Sequence, residues 1–494
     1  MSHLKNIKLP LILFGLFLLA PLGNATETRV DSAGGLNLVL SDETDELTPF
    51  IFGNPAGLAL LENPNRFDLA GQWLLQNSAA SNQSDVFYGT LSGLSSDSTN
   101  YHGFILEPAK NWVFQLDGDI LHTENQPDSG SLDKNRDRTR ELFRTSLKVG
   151  SLILGGQIQG TQVNMVLAPS GYYGAQIDSI KATGSGWLGT GGILLSFPGD
   201  PLPNQQRFTL GGVYTREIIP GQSKTNLSLT FPGPAAVNLT QTLDSQNVQS
   251  FGPELYFEIP NSLQAGLLTR FSNADISLQR DSSDISIISN QASYKLQNTN
   301  TSSVLAALKM SSPLQKLTSL KTGFSLLFES GKTTDYDPSQ NTISTTDGQV
   351  WQVQLGTGLE GLEKYTVGIQ VKIQGISGGV SNPPGPDQAI NFFSYQINLG
   401  GEQWITKQWA FRAGIVYEND LNSGALDYQP GFFPIPSGQR IVSTLITTGV
   451  GFKNDRFKTD LLFFFGQPFV YDSPNPDDFY TQVGFQLAAS FLLN

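Results

Sequence analysis

The sequence predicts an all-β protein, a transmembrane antiparallel β-barrel of about fourteen to eighteen strands, preceded by an N-terminal segment that could plug its lumen. Three observations predict it: an export leader followed by no membrane helix, a period-two alternation of apolar and polar residues, and connections that alternate short with long.

The leader comes first. Lys5 and Lys8 precede an apolar run from Leu9 to Leu22, and Gly23-Asn24-Ala25 supplies a small-x-small cleavage site, so residues 1–25 read as a secretory signal peptide. The run is shorter than the ~20 residues a spanning helix needs, and nothing after Ala25 approaches that length. Residues 26–65 do not alternate and contain Gly53-Asn54-Pro55-Ala56-Gly57-Leu58-Ala59 just before the first strand. Such a segment either fills the lumen as a plug or extends into the periplasm.

Residues 66–494 carry the barrel pattern. Tyr365, Val367, Ile369, Val371 and Ile373 share one face, while Thr366, Gly368, Gln370, Lys372 and Gln374 share the other, which suits lipid outside and water inside. Val483, Phe485, Leu487, Ala489, Phe491 and Leu493 repeat the alternation near the chain end. A soluble sandwich alternates too. The connections favour the barrel, because short links at 107–111, 260–262, 362–364, 404–408 and 453–456 alternate with long polar ones at 123–138, 218–248, 331–348, 375–389 and 419–437. Short periplasmic turns and long outer loops have that arrangement, with Trp112, Trp404 and Trp409 expected as a periplasmic aromatic belt.

Composition narrows the function classes. The 43 acidic residues outnumber the 30 basic ones, and the leader removes two of the latter, so nucleic acid is not an expected partner. Cysteine is absent, which excludes disulfides and thiolate metal sites. Only His102 and His122 lie beyond the leader, and by parity both fall on the lipid side, away from any water-filled site where an enzyme would use them. Neither catalysis, a metal nor a cofactor is expected. Gly184-Ser185-Gly186-Trp187-Leu188-Gly189 matches a dinucleotide fingerprint in spelling, but no helix follows it. Gly331-Lys332-Thr333 lacks the upstream glycine of a phosphate loop and is expected in an outer loop.

The run Phe52-Gly53-Asn54-Pro55-Ala56-Gly57-Leu58-Ala59 resembles the hatch motif of the FadL-type long-chain fatty-acid transporters of outer membranes. The segments Phe411–Tyr417, Gly438-Gln439-Arg440, Thr448–Phe452 and Asp460-Leu461-Leu462 look similar to that family's C-terminal pattern. Acidic residues at 42–46 replace the family's small-residue stretch, and the chain ends on Asn494 instead of an aromatic. The resemblance implies passive outer-membrane transport of small hydrophobic solutes through a plugged barrel, with Asn54, Pro55, Ala56 and Gly57 gating it. Outer-membrane lipid and lipopolysaccharide would surround the wall. The alternatives are a general or specific porin, or a non-transporting scaffold for secreted proteins.

Two further sets of residues are candidates for ligand contact. Phe143, Leu147 and Val149 facing lipid would turn Arg140, Arg144 and Lys148 into the lumen, where they hold a carboxylate or pair with Asp117 and Asp119; the expected register sets Asp117 opposite Arg144. Met165, Leu167, Tyr172 and Tyr173 form an apolar cluster that captures solute from an outer loop or extends a strand above the membrane.

Overall fold

A computed structural model describes residues 54–61, 65–79, 93–127, 133–168, 170–172, 175–198, 205–230, 236–260, 262–284, 289–315, 318–337, 342–361, 365–381, 388–422, 440–471 and 479–493. Nineteen strands form one sheet: β1(Arg66–Ala79), β2(Gly93–Ala109), β3(Trp112–Pro127), β4(Asp133–Val149), β5(Leu152–Ala168), β6(Ser170–Tyr172), β7(Ala175–Phe197), β8(Arg207–Thr230), β9(Ala236–Ile259) and β10(Leu263–Asp284), then β11(Ser289–Gln315), β12(Thr318–Asp337), β13(Thr342–Gly361), β14(Tyr365–Ser381), β15(Gln388–Trp404), β16(Trp409–Asn422), β17(Arg440–Lys453), β18(Phe457–Tyr471) and β19(Phe479–Leu492). Three-residue β6 pairs with β7 only, and β5 also pairs with β7, so the wall is a ring of eighteen antiparallel strands. It closes where β1 pairs with β19 from Arg66↔Leu492 to Ala79↔Phe479. Closure leaves no edge, so the ladder itself satisfies the backbone polar groups that hydrocarbon cannot.

Alternation decides which side chain meets which medium. Leu116, Ile120, Phe143, Ile193, Leu210, Leu267, Leu355, Ile369, Phe463 and Phe485 all point outward and are exposed. Gln115, Asp119, Arg144, Gln159, Thr299, Asn398 and Gln486 point inward and are buried. An exposed apolar surface running round the whole wall is covered by lipid, and the protein spans a membrane through its strands. Replacing Phe463, midway up β18 and opposite Phe485, with arginine is expected to cost about 2–4 kcal/mol. Urea unfolding in lipid vesicles measures it, and a loss below about 0.5 kcal/mol would remove Phe463 from the lipid-facing band.

At the rim with short turns the band ends in aromatics. Trp409, Phe452, Phe457, Phe491 and Phe67 form a chain of ring contacts, with Trp409–Phe452 at 4.9 Å and Phe457–Phe491 at 4.7 Å between centroids. Trp112 and Trp409 face outward as the belt requires. Trp404 departs from the expectation: it shares its parity with inward Asn398, its ring nitrogen donates to Glu402 at 2.6 Å, and Lys453 lies over its ring. A buried-side carboxylate gives the indole N–H a partner that lipid would not.

The outer connections are shorter than the sequence suggests. Strands β3 and β4 run to Pro127 and from Asp133, β8 and β9 to Thr230 and from Ala236, and β12 and β13 to Asp337 and from Thr342. Segments expected as loops, Gly331-Lys332-Thr333 among them, are strand. Above the bilayer neither face meets lipid, so the apolar alternation that marks a strand disappears while the ladder continues.

Candidate functional site: the lumen and the turn seated in it

The short 3-10 turn Pro55–Leu60 is held by its own sequence. Asn54 is extended at φ −110° and ψ 122°, its side-chain oxygen accepts from the Ala56 N–H at 3.0 Å, and its carbonyl accepts from Gly57 at 2.9 Å. Pro55 follows as the first residue of the turn, where it has no N–H to lose and its backbone angle is already set. Asn54, Pro55, Ala56, Gly57 and Leu58 are buried.

What buries them is the inner wall. Leu58 and Leu61 pack on Ile105 of β2 and Val113 of β3, while Ala56, Ala59 and Leu60 pack on Ile153 of β5 and Leu194 of β7. All four wall residues lie within a few positions of the short turns, so the segment sits in that mouth of the lumen. Burying a leucine of this kind contributes about 1.5–3 kcal/mol.

The close fit depends on absent side chains. Gly155 and Gly192 stand opposite one another across the β5–β7 ladder. A Cβ on Gly155 would run into the Pro55–Ala56 peptide, and one on Gly192 into the Asn54 side chain. Through this bare patch the Asn54 amide donates to the wall carbonyls of Gly212, at 3.1 Å, and Ile193, at 3.4 Å. Gly212 faces Pro253 across the β8–β9 ladder, a partner with no N–H of its own. Asn54 also lies against the Glu254 carboxylate, which Arg270 holds at 2.7 Å.

Around the same mouth runs a ring of inward ion pairs: Arg66–Asp68 at 2.9 Å, Arg207–Glu258 at 3.8 Å, Lys321–Glu360 at 3.1 Å, and Arg412 between Glu402 and Asp460. Farther up, polar inward residues are interspersed with Val213, Tyr256, Ile276, Phe392, Val416 and Leu462. Water and an apolar solute both find partners in such a lining.

The remaining sequence candidates separate. Arg140 and Arg144 face inward, but the register is shifted by two from the expected one: Asp119 stands opposite Arg140, and Asp117 opposite Leu142. Arg140 pairs with Asp119, and Arg144, opposite Gln115, donates to Gln157 at 2.9 Å. Lys148 lies near the short-turn rim of β4. Met165 and Leu167 are in β5 near its long-loop end and Tyr172 is in β6, while Tyr173 is outside the described residues, as are residues 26–53 and 62–64 of the expected hatch. Strand extension, not a loop, therefore holds the described part of that cluster. His102 and His122 face outward, and His122 contacts Asp137 at 2.6 Å. Gly184–Gly189 lies within β7 with no helix after it. Among the described residues no cluster of potential metal ligands occurs.

The fold and the seated turn define a class: a membrane-spanning antiparallel β-barrel with a segment of its own chain in one mouth. No protein-family model and no curated protein matches the sequence. Solved structures do. The deltaS2 mutant of the TodX monoaromatic hydrocarbon channel is 11% identical with a TM-score of 0.39, covering 96% of this chain and 100% of its own. A Pseudomonas aeruginosa FadL homologue is 11% identical at 0.38, covering 95% and 98%. The ferric yersiniabactin uptake receptor FyuA from Yersinia pestis is 10% identical at 0.40, covering 86% and 80%.

Proposed function

We propose that the protein passes small hydrophobic solutes passively across an outer membrane, with the turn around Asn54–Gly57 as the plug at the periplasmic mouth. The observation that carries this reading is the turn docked on Gly155 and Gly192 inside the barrel, tied to the wall by Asn54. A fixed plug argues against a freely open porin, since it occupies the water path that a porin keeps clear. The apolar side chains scattered up the lumen give an oily solute contact between polar stations. No energy source is needed for diffusion down a gradient, and none of the residues discussed makes a nucleotide or metal site.

The seat sets the expected mutant phenotype. Changing Asn54 and Pro55 together to alanine removes the side-chain cap, the two wall hydrogen bonds and the preset backbone angle, a loss of about 1–2 kcal/mol for the cap alone. The wall is held by its own ladder and stays folded. Uptake of a labelled long-chain fatty acid or toluene, in cells lacking their own transporter, is expected with the intact protein and altered in the double variant. If the intact protein carries maltose as readily as the fatty acid, a general porin replaces this reading; if it carries neither and a secreted protein co-purifies, a surface scaffold does.

A further inference from the structure

On the face of the wall away from the lumen, strands β8 to β13 enclose a groove of about 700 Å³. Two adjacent outward rungs build it. The lower runs Tyr214, Phe251, Phe271, Ser302, Ser330, Gln349, and the upper runs Gln249, Asn273, Asn300, Lys332, Asp347. Below them the outward residues are apolar, among them Leu267, Phe328 and Leu355. The groove thus lies where the lipid-facing band gives way to the head-group layer, on the long-loop side.

Its chemistry changes along the rungs. At one end Phe251 and Phe271 pack with centroids 5.3 Å apart and stay exposed, an apolar floor beside Tyr214. At the other end amides and hydroxyls stand in a ladder: Asn273 donates to Asn300 at 2.9 Å, Asn300 to Asn298 at 2.6 Å, and Ser302 contacts Ser330 at 2.8 Å. Each amide has donor or acceptor positions beyond its bonds in the ladder. Lys332 stands directly opposite Asp347, so the two charges in the lining cancel. Beside the groove the register of the β8–β9 ladder jumps from Arg216↔Gln249 to Lys224↔Thr242.

We propose that this groove holds the sugar head group of an outer-leaflet glycolipid, with its acyl chains on the apolar band beneath. Aromatic faces take the C–H face of a sugar ring, and amide and hydroxyl ladders match its hydroxyls. A head group recognised through phosphate would call for clustered, unpaired cations, and here the lysine of the lining faces an aspartate while the other cation on the upper rung, Arg216, stands four strands away on β8. The proposal rests on the long-loop rim facing outward and is independent of what passes through the lumen.

The test compares two amphiphiles that each carry one phosphate, monophosphoryl lipid A and phosphatidylglycerol, which differ in the sugar and in the number of acyl chains; the groove variants isolate the sugar, because they leave the apolar band beneath unchanged. The protein is loaded in nanodiscs of either composition, released into mild detergent, and its retained lipid counted by native mass spectrometry. The intact barrel is expected to keep monophosphoryl lipid A and to lose phosphatidylglycerol. Phe271→Ala with Asn300→Leu is expected to lower glycolipid retention by about tenfold, and Gln349→Leu alone to lower it less. Phe465→Ala, outward on β18 outside the groove, leaves it unchanged, and heat-modifiable electrophoresis verifies that each variant is folded. Equal retention of the two lipids by the intact barrel, or undiminished glycolipid retention in both groove variants, would overturn the proposal.

Discussion

Replacing Gly192 with leucine is expected to raise the ion conductance of the barrel in planar bilayers. The new side chain occupies the place where the Asn54 side-chain amide rests between its hydrogen bonds to Gly212 and Ile193, and the Pro55–Ala56 peptide already fills the bare spot at Gly155 on the neighbouring strand. Forcing extra atoms into a packed contact costs about 1–3 kcal/mol, which shifts the balance between docked and undocked turn by about 5- to 150-fold. The control lies one residue away. Gly191 has the opposite parity and nothing within 4 Å of an added Cβ, so Gly191→Leu tests the effect of leucine on the strand without touching the turn. The Gly192 variant should conduct well above the Gly191 variant; equal conductance in the two would mean that the seated turn does not obstruct the lumen.

The glycines also show why part of the site was hidden in the sequence. Asn54-Pro55 is legible because an asparagine cap and a proline act locally, within three residues. Gly155-Gly156 and Gly191-Gly192 are two ordinary dipeptides thirty-odd positions apart, and only the register that sets Gly155 against Gly192 turns them into a flat seat. The two dipeptides were the available signal, since glycine is costly inside a strand unless a backbone must approach closely. Glu254 and Arg270 likewise meet across β9 and β10 through pairing that composition does not encode.

Register explains the misplaced aspartates too. Parity alone established that Arg140, Arg144, Asp117 and Asp119 share the lumen, because the side-chain period is two. It left the pairing free to slide by two residues without moving any side chain to the other face, and the structure takes the register that sets Asp119 opposite Arg140. The lipid band was legible throughout, since each wall strand meets oil on one side. The upper halves of β8 to β13 were not, because above the bilayer both faces are polar and a strand there has the composition of a loop.

Arg412 gives the largest expected stability effect. Its side chain is 7% exposed and lies between Glu402 on neighbouring β15, at 2.5 Å, and Asp460, which meets it from β18 across the bare Gly451 of β17, so the cluster ties four strands of the rim together. Arginine suits the place because its planar fork serves two carboxylates at once. Arg412→Gln leaves both acids inside the mouth with no cation between them, and breaking a buried pair in this way costs about 3–5 kcal/mol, less where lumen water reaches the acids. Removing the charges together, with Arg412→Met, Glu402→Gln and Asp460→Asn in one chain, should recover most of that loss, because the penalty belongs to the unpaired charges. Urea unfolding in vesicles, or the temperature at which the barrel loses its compact electrophoretic form, separates the two outcomes. If the single and triple variants lose stability equally, the cluster acts through its shape and hydrogen bonds, and charge pairing is not what holds this rim.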